Sequence, residues 1–352
     1  MRLWPRWLRR IVLGPAVVLA TVAMASTLPG WALIAAFASR YVPGRWRPLR
    51  LLWFLLVWLV LESLVLVELL ALWVASGFGW KLRTRRFEDY HYLLMGWFLG
   101  RAVASARRTF GLDIAYEDAR PTDFDGVPVL VFCRHAGPGD SILLVEALVN
   151  RFDRRPRIVL KDTLQWDPAI DILLSRLPSR FIESRGRPGE AATRAIGHLA
   201  ATMGHDDALV IFPEGGNYTE GRWKRAIHKL ETGGLTHHAA RARTMLHVLP
   251  PKPGGVAAAI AAAPNAGIAL VGHTGTEEMD SLADIWHGLK MDLSIATRVW
   301  RYPASAVPLD RPGLETWLYD RWAEMNEWIG TTQNAERRRP NARIRRRPRL
   351  DQ

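Results

Sequence analysis

Two long apolar stretches open the chain, and after them short apolar runs alternate with helical patterns. Residues 11–39 carry no charge, and residues 51–78 carry only Glu62 and Glu68. Either stretch is long enough to cross a hydrocarbon core of about 30 Å, which takes about 20 helical residues. Residues 87–110 mix aromatics with Arg101, Arg107 and Arg108 at roughly helical spacing, which predicts a helix lying along a membrane or on the body. Apolar runs then predict strands over 112–116, 127–133, 157–160, 180–183, 208–212, 245–249 and 268–271. Periodic segments between them predict helices over 140–150, 167–177, 189–203, 223–240 and 254–263. Beyond Ser294 a strand-like run ends near Tyr302, and a helix is expected over 314–329. Such alternation predicts an α/β fold, a mostly parallel sheet flanked by helices, with an N-terminal two-helix membrane anchor. The expected division is an anchoring hairpin with basic flanks over 1–86, an α/β domain over 87–330 and a disordered Arg-rich tail over 331–352.

Charge sharpens the membrane reading. Lysines and arginines number 47 against 34 acids, a formal net charge of +13. That balance calls for a polyanionic partner. The basic residues flank the apolar stretches: Arg2, Arg6, Arg9 and Arg10 before the first, Arg40, Arg45, Arg47 and Arg50 between them, Lys81, Arg83, Arg85 and Arg86 after the second. This placement favours anionic lipid over nucleic acid. Equal counts on all three flanks give the positive-inside rule nothing to choose by, so a spanning hairpin and a hairpin dipping into one leaflet both stand. Sixteen tryptophans, many near these stretches, suit the membrane interface. Ala23-Met24-Ala25 imitates a signal-peptide cleavage site, but a second apolar segment follows at once. The single cysteine, Cys133, rules out an internal disulfide and fits a reducing compartment. The expected location is the cell membrane, with the body facing the cytoplasm. Eight arginines between 337 and 349 with little apolar content predict a disordered tail that clamps anionic headgroups.

The chemistry concentrates where strands end. His135-Ala136-Gly137-Pro138-Gly139-Asp140 follows the apolar run 127–133 directly. A Gly/Pro turn there brings an imidazole and a carboxylate together. Histidine titrates near neutrality and suits proton removal from an alcohol, while an aspartate fixes its tautomer. The competing reading is a surface histidine beside a helix-capping Asp140. A second strand-like run, 208–212, leads into Pro213-Glu214-Gly215-Gly216. His237, His238 and His247 are scattered without a cysteine partner, so no metal site is expected. No phosphate-loop or dinucleotide glycine fingerprint occurs. Cys133 continues an apolar strand and reads as a packed thiol.

Four motifs in order resemble the glycerolipid acyltransferases, the lysophosphatidic acid acyltransferase family: His135-x4-Asp140; Phe181-Ile182-Glu183-Ser184-Arg185; Phe212-Pro213-Glu214-Gly215-Gly216; and Val248-Leu249-Pro250-Pro251-Lys252. The segments around Gly216 and Gly255 look like its lysocardiolipin and plant-type branch. The resemblance implies His135 as general base and Asp140 as its orienting partner. It implies Arg185 as a phosphate ligand, Glu214 and Gly215 as acceptor-binding residues, with Glu214 bonding a glycerol hydroxyl or steadying a basic side chain, and Pro250 as shaping the acyl-donor side. Arg134, where the family often has asparagine, adds a second phosphate contact on this reading, and Lys161 falls where the family often has lysine. Gly216 replaces a common threonine. The implied reaction moves a fatty acyl group from acyl-CoA or acyl carrier protein to the free hydroxyl of a lysophospholipid, lysophosphatidic acid first among acceptors. No bound cofactor or metal is required. A lysocardiolipin or other lysophospholipid acyltransferase stands second, and a non-catalytic membrane scaffold for anionic partners is the alternative of another class. No nucleic-acid partner is expected.

Overall fold

A computed structural model describes residues 3–42, 46–117, 124, 126–137, 139–183, 188–276 and 293–338. The first apolar stretch is two helices, α1 (Arg6–Ser26) and α2 (Leu28–Ala38), because Pro29 at the start of α2 interrupts the ladder at Thr27. The second is one helix, α3 (Arg47–Ala75), and α4 (Arg85–Phe110) follows. Helices α1 and α3 are each long and apolar enough to cross a membrane. They run side by side: the Thr21 hydroxyl lies 2.8 Å from that of Ser63 and 3.1 Å from the Leu59 carbonyl. Glu62 is buried, while Glu68 is exposed.

The body is a seven-stranded sheet among the described residues, in the order β1-β7-β6-β2-β5-β3-β4. The strands are β1 (Asp113–Glu117), β2 (Val129–Cys133), β3 (Arg155–Lys161), β4 (Arg180–Ile182), β5 (Asp207–Ile211), β6 (Gly267–Thr274) and β7 (Ser294–Tyr302). Strands β6, β2, β5, β3 and β4 are parallel; β7 lies antiparallel on β6, and β1 joins β7 in parallel. The flanking helices are α5 (Asp140–Asn150), α6 (Pro168–Leu174), α7 (Pro188–Ala201), α8 (Glu220–Thr232), α9 (Thr236–Thr244), α10 (Pro253–Ala262) and α11 (Arg311–Arg338). Helix α6 starts as its sequence dictates: Pro168 occupies the first turn and the Asp167 carboxylate accepts the Ile170 amide at 2.8 Å.

Both faces of the sheet are covered, so the central strands read as unbroken apolar runs. Leu130 and Phe132 of β2 pack with Leu209, Leu270, Leu199 of α7, Val256 of α10 and Trp322 of α11. Val129, Val131 and Cys133 face the other way, with Val210, Val271 and Leu148 of α5. A third cluster joins Val65, Leu66 and Leu69 of α3 to Met95 of α4, Val145 of α5, Ile158 of β3 and Leu173 of α6. The second apolar helix is therefore bonded to the body by packing along its inner face.

Three expectations change. Residues 245–249 are not a strand: the His247 amide donates to the Asn326 side chain at 2.8 Å and the Leu249 amide to Glu214 at 3.1 Å, so side chains take the place of a strand partner. The helix expected over 223–240 is two, α8 and α9, broken at Gly233-Gly234, where Gly234 has φ 75° and the Leu235 amide donates back to the Leu230 carbonyl at 2.9 Å. Helix α11 continues to Arg338, into the segment expected to be disordered; residues 339–352 lie outside the described ones.

Candidate active site

Strand parity aims the side chains after β2. Cys133 faces α5, so Arg134 turns to the opposite face and His135 returns to the α5 side. The Arg134 amide extends the ladder by donating to the Val271 carbonyl at 3.0 Å. Helix α5 then begins with Asp140, which is 3% exposed. Its Oδ2 accepts the amides of Ala136 and Gly137 at 2.5 and 2.6 Å, which pins the turn. The same oxygen lies 3.4 Å from His135 Nδ1. A hydrogen bond of that length is common in a catalytic pair without substrate. The His135 ring is partly exposed and packs on Phe212, with ring centroids 4.7 Å apart.

Asp140 has further partners. Thr276 donates to its Oδ1 at 3.0 Å, and His273 Nε2 stands 3.4 Å from Oδ2. Burial alone would raise the carboxyl's pKa. The interaction with His273, the His135 bond and the Gly137 and Ala136 amides outweigh it and hold the group at about 2. Sequence reasoning missed His273 and Thr276. A signal existed: 268–271 is an apolar run that ends in a histidine two residues on, the arrangement that drew attention to His135. The register pairs Cys133 with Val271, so two residues further it sets His135 beside His273.

The other expected site residues divide. Lys161 ends β3 and is exposed. Gly215 has φ 70°, and a Cβ there would lie 2.5 Å from Lys252 Nζ, so the close approach of that ammonium requires glycine. The Lys252 pKa is lowered by burial and then by Lys229 and Lys161. Three lysines thus share the side of the sheet where β3 and β5 end. Pro250 is buried in a loop tied to the β5 turn by the Lys252 amide, which donates to the Pro213 carbonyl at 2.9 Å.

Arg134 and Glu214 are buried rather than open to a substrate, and of the two roles expected for Glu214, steadying a basic side chain is the one its Arg134 neighbour fits. Arg134 is fully buried. Its guanidinium donates to the His247 carbonyl from Nε and Nη2, at 3.1 and 2.7 Å, and to the His273 carbonyl at 2.5 Å. Glu214 is 2% exposed and accepts the His135 amide at 3.4 Å and the Leu249 amide at 3.1 Å. Burial pushes its carboxyl up to about 8, against the Arg134 charge and those amides. Both side chains splice loops together inside the protein. Arg185 lies outside the described residues. The Cys133 thiol donates to the Arg134 carbonyl at 3.2 Å, and burial raises its pKa well above the ordinary value, so it is a packed and unreactive group.

Behind the pair, a mostly apolar cavity of about 90 Å³ lies between α5 and strands β1, β7, β6 and β2. Asp140, His273 and Thr276 form its polar end.

Residues 114–272 match the family model described as Acyltransferase. The match spans β1 through most of β6 and includes His135, Asp140, Lys161, Glu214, Gly215 and Pro250. Among solved structures, the chain is similar to the crystal structure of the 1-acyl-sn-glycerophosphate (LPA) acyltransferase PlsC from Thermotoga maritima. Identity is 14%, the alignment covers 80% of this chain and 98% of that one, and the TM-score is 0.49. Among curated protein sequences, none matches this chain.

Proposed function

We propose that the protein is a membrane-bound acyltransferase that moves a fatty acyl group from a thioester donor to the free hydroxyl of a lysophospholipid. One observation carries this reading: within the segment matching the Acyltransferase family, a partly exposed imidazole lies against a buried, ionised aspartate that two backbone amides hold in place. His135 Nδ1 faces the carboxylate, which leaves Nε2 for the substrate. In the reaction, Nε2 takes the proton of the acceptor hydroxyl as its oxygen attacks the thioester carbonyl. The tetrahedral intermediate collapses with the C–S bond breaking, and the proton passes from His135 to the departing thiolate. The products are an ester and a free thiol. No side-chain nucleophile takes part.

The leading acceptor is lysophosphatidic acid, and its phosphate suits the lysine group Lys161, Lys229 and Lys252. Acyl-CoA and acyl carrier protein are the two donors this chemistry admits. The apolar helices α1 and α3 hold the body at a bilayer, where the lysophospholipid acceptor resides. Exposed Trp7, Leu19, Leu33, Phe37, Trp53 and Leu70 support that placement. The test is incubation of the purified protein with palmitoyl-CoA and a panel of lysophospholipids, with products read by mass. Phosphatidic acid as the dominant product supports the reading. Preference for a lysocardiolipin selects the second acceptor, and no ester product on any acceptor leaves the non-catalytic scaffold.

A further inference from the structure

The candidate site holds a second imidazole that the reaction above leaves unused. We propose that His273 is a positioning residue for the His135–Asp140 pair, standing as an imidazolium against the Asp140 carboxylate. This inference rests on the acyl-transfer reading for its functional consequence.

The protons follow from the acceptors around the ring. Nε2 lies 3.1 Å from the Arg134 carbonyl and 3.4 Å from Asp140 Oδ2, and neither oxygen has a hydrogen to give, so Nε2 carries one. Nδ1 lies 3.4 Å from Thr276 Oγ1. The hydroxyl hydrogen is committed to Asp140 Oδ1 at 3.0 Å, so Oγ1 turns a lone pair toward Nδ1, and Nδ1 carries a hydrogen as well. A ring with both nitrogens protonated is a cation.

The surroundings strengthen the pairing. His273 is 6% exposed at the end of a cavity walled by Val129, Val131, Val271 and Ile295, where charges interact more strongly than in water. Asp140 faces the ring from α5, and His135 stands beside it in register at the end of β2. Arg134 donates to the His273 carbonyl, and its charge in turn faces Glu214, in the turn after β5, and Cys133 of β2. On β7, Thr297 pairs with His273, and Arg301 lines the same cavity, as does Arg154. From α11, the Gln333 amide donates to Thr274.

Two consequences follow. With Thr276 and His273 fixing both carboxylate oxygens from behind, Asp140 cannot rotate away from His135. A fixed cation also adds positive charge to the site as a whole, so removing the His273 charge is expected to change the pH dependence of the coupled site, moving its acid limb to higher pH.

The experiment uses the full-length protein in detergent, as wild type, His273→Gln, His273→Ala and Thr276→Val. For the two His273 variants, the expected result is a fall of about 10-fold or more in kcat, with KM for palmitoyl-CoA within about 2-fold. The acid limb of the kcat/KM profile is expected to move to higher pH in both. Glutamine keeps a donor for the Arg134 carbonyl and retains the thermal stability, but it does not restore the limb, which separates charge from packing. Thr276→Val is expected to lower kcat in the same direction. Independently of activity, ¹⁵N spectra of histidine-labelled wild type are expected to show the His273 ring doubly protonated at pH 7. An unmoved acid limb in His273→Gln, or a neutral His273 ring at pH 7, overturns the proposal. If wild type acylates no lysolipid, the acyl-transfer reading fails, and the ring's protonation still decides the imidazolium assignment.

Discussion

Asp140 is where burial and hydrogen bonding oppose each other most directly. Its folded pKa of about 2 lies below the ordinary 3.8. A depressed carboxyl contributes stability above its unfolded pKa and loses it as pH falls through the folded value. Thermal melts between pH 2 and pH 7 should therefore show an acid-side loss starting below about pH 4 that Asp140→Asn flattens. The same substitution should lower kcat about 100-fold or more, because the amide cannot hold His135 in the reactive tautomer. Replacing Gly215 with alanine should cost about 1–2 kcal/mol from φ 70° alone, while the Lys252 ammonium, the free end of a flexible side chain, steps aside. Arg134→Met should destabilise the protein by about 3 kcal/mol or more, since it strands the His247 and His273 carbonyls. A residue whose task was to hold phosphate would instead raise KM with stability unchanged. At this scale His135 and Asp140 were legible, because a strand, a tight turn and a helix start stand together in the sequence. The inward turn of Arg134 and Glu214 was not. Their burial depends on the 245–252 loop lying over β5, a contact between segments far apart along the chain.

Among the elements, the Glu214 carboxylate links the β5 turn to the 245–249 segment and to His135. Glutamine offers only one accepting oxygen and sets an NH₂ against an N–H, so Glu214→Gln should lower stability by about 1–3 kcal/mol, measurable as a drop in Tm. Because burial raises this carboxyl to about 8, its favourable contribution is present below the unfolded pKa and is lost as pH rises through 8. The strand and helix alternation from 112 onward was readable because parallel strands buried on both faces are unbroken apolar runs. The direction of β7 was not, since an antiparallel neighbour leaves no mark on its own periodicity. The apolar pattern of 245–249 looked like a strand because burial is what the pattern reports; the hydrogen-bond partners, Asn326 and Glu214, come from elsewhere in the chain. The break between α8 and α9 was written in Gly233-Gly234, a pair that the longer helical pattern overrode.

For the whole molecule, the apolar N-terminal helices and the body share a core. Val65, Leu66 and Leu69 of α3 pack with residues of α4, α5, α6 and β3. Deleting residues 1–86 should therefore leave an exposed apolar face and an aggregating remainder, assayed by size-exclusion chromatography. At the start of α1, Asp171 is 1% exposed and takes Arg9 at 3.3 Å and Arg10 at 2.8 Å. Arg6, Arg83 and Arg176 line a cavity beside that pair with Trp73 and Trp80. Arg6→Ala with Arg83→Ala should weaken sedimentation with phosphatidylglycerol vesicles at low salt and leave phosphatidylcholine vesicles unaffected. The apolar stretches predicted helices long enough to cross a membrane, and α1 and α3 are such helices, but the seating of α3 on the body depends on which of its faces is covered, and a helix apolar all round does not declare that. Acyl transfer by this route needs a single ring nitrogen to remove a lipid hydroxyl's proton. Its most direct measurement is thiol release from palmitoyl-CoA with lysophosphatidic acid, for wild type and for folded His135→Ala side by side. Acceptor-dependent release by wild type and a loss of at least about 100-fold in the variant are expected; equal rates in the two proteins would contradict a general-base role for His135.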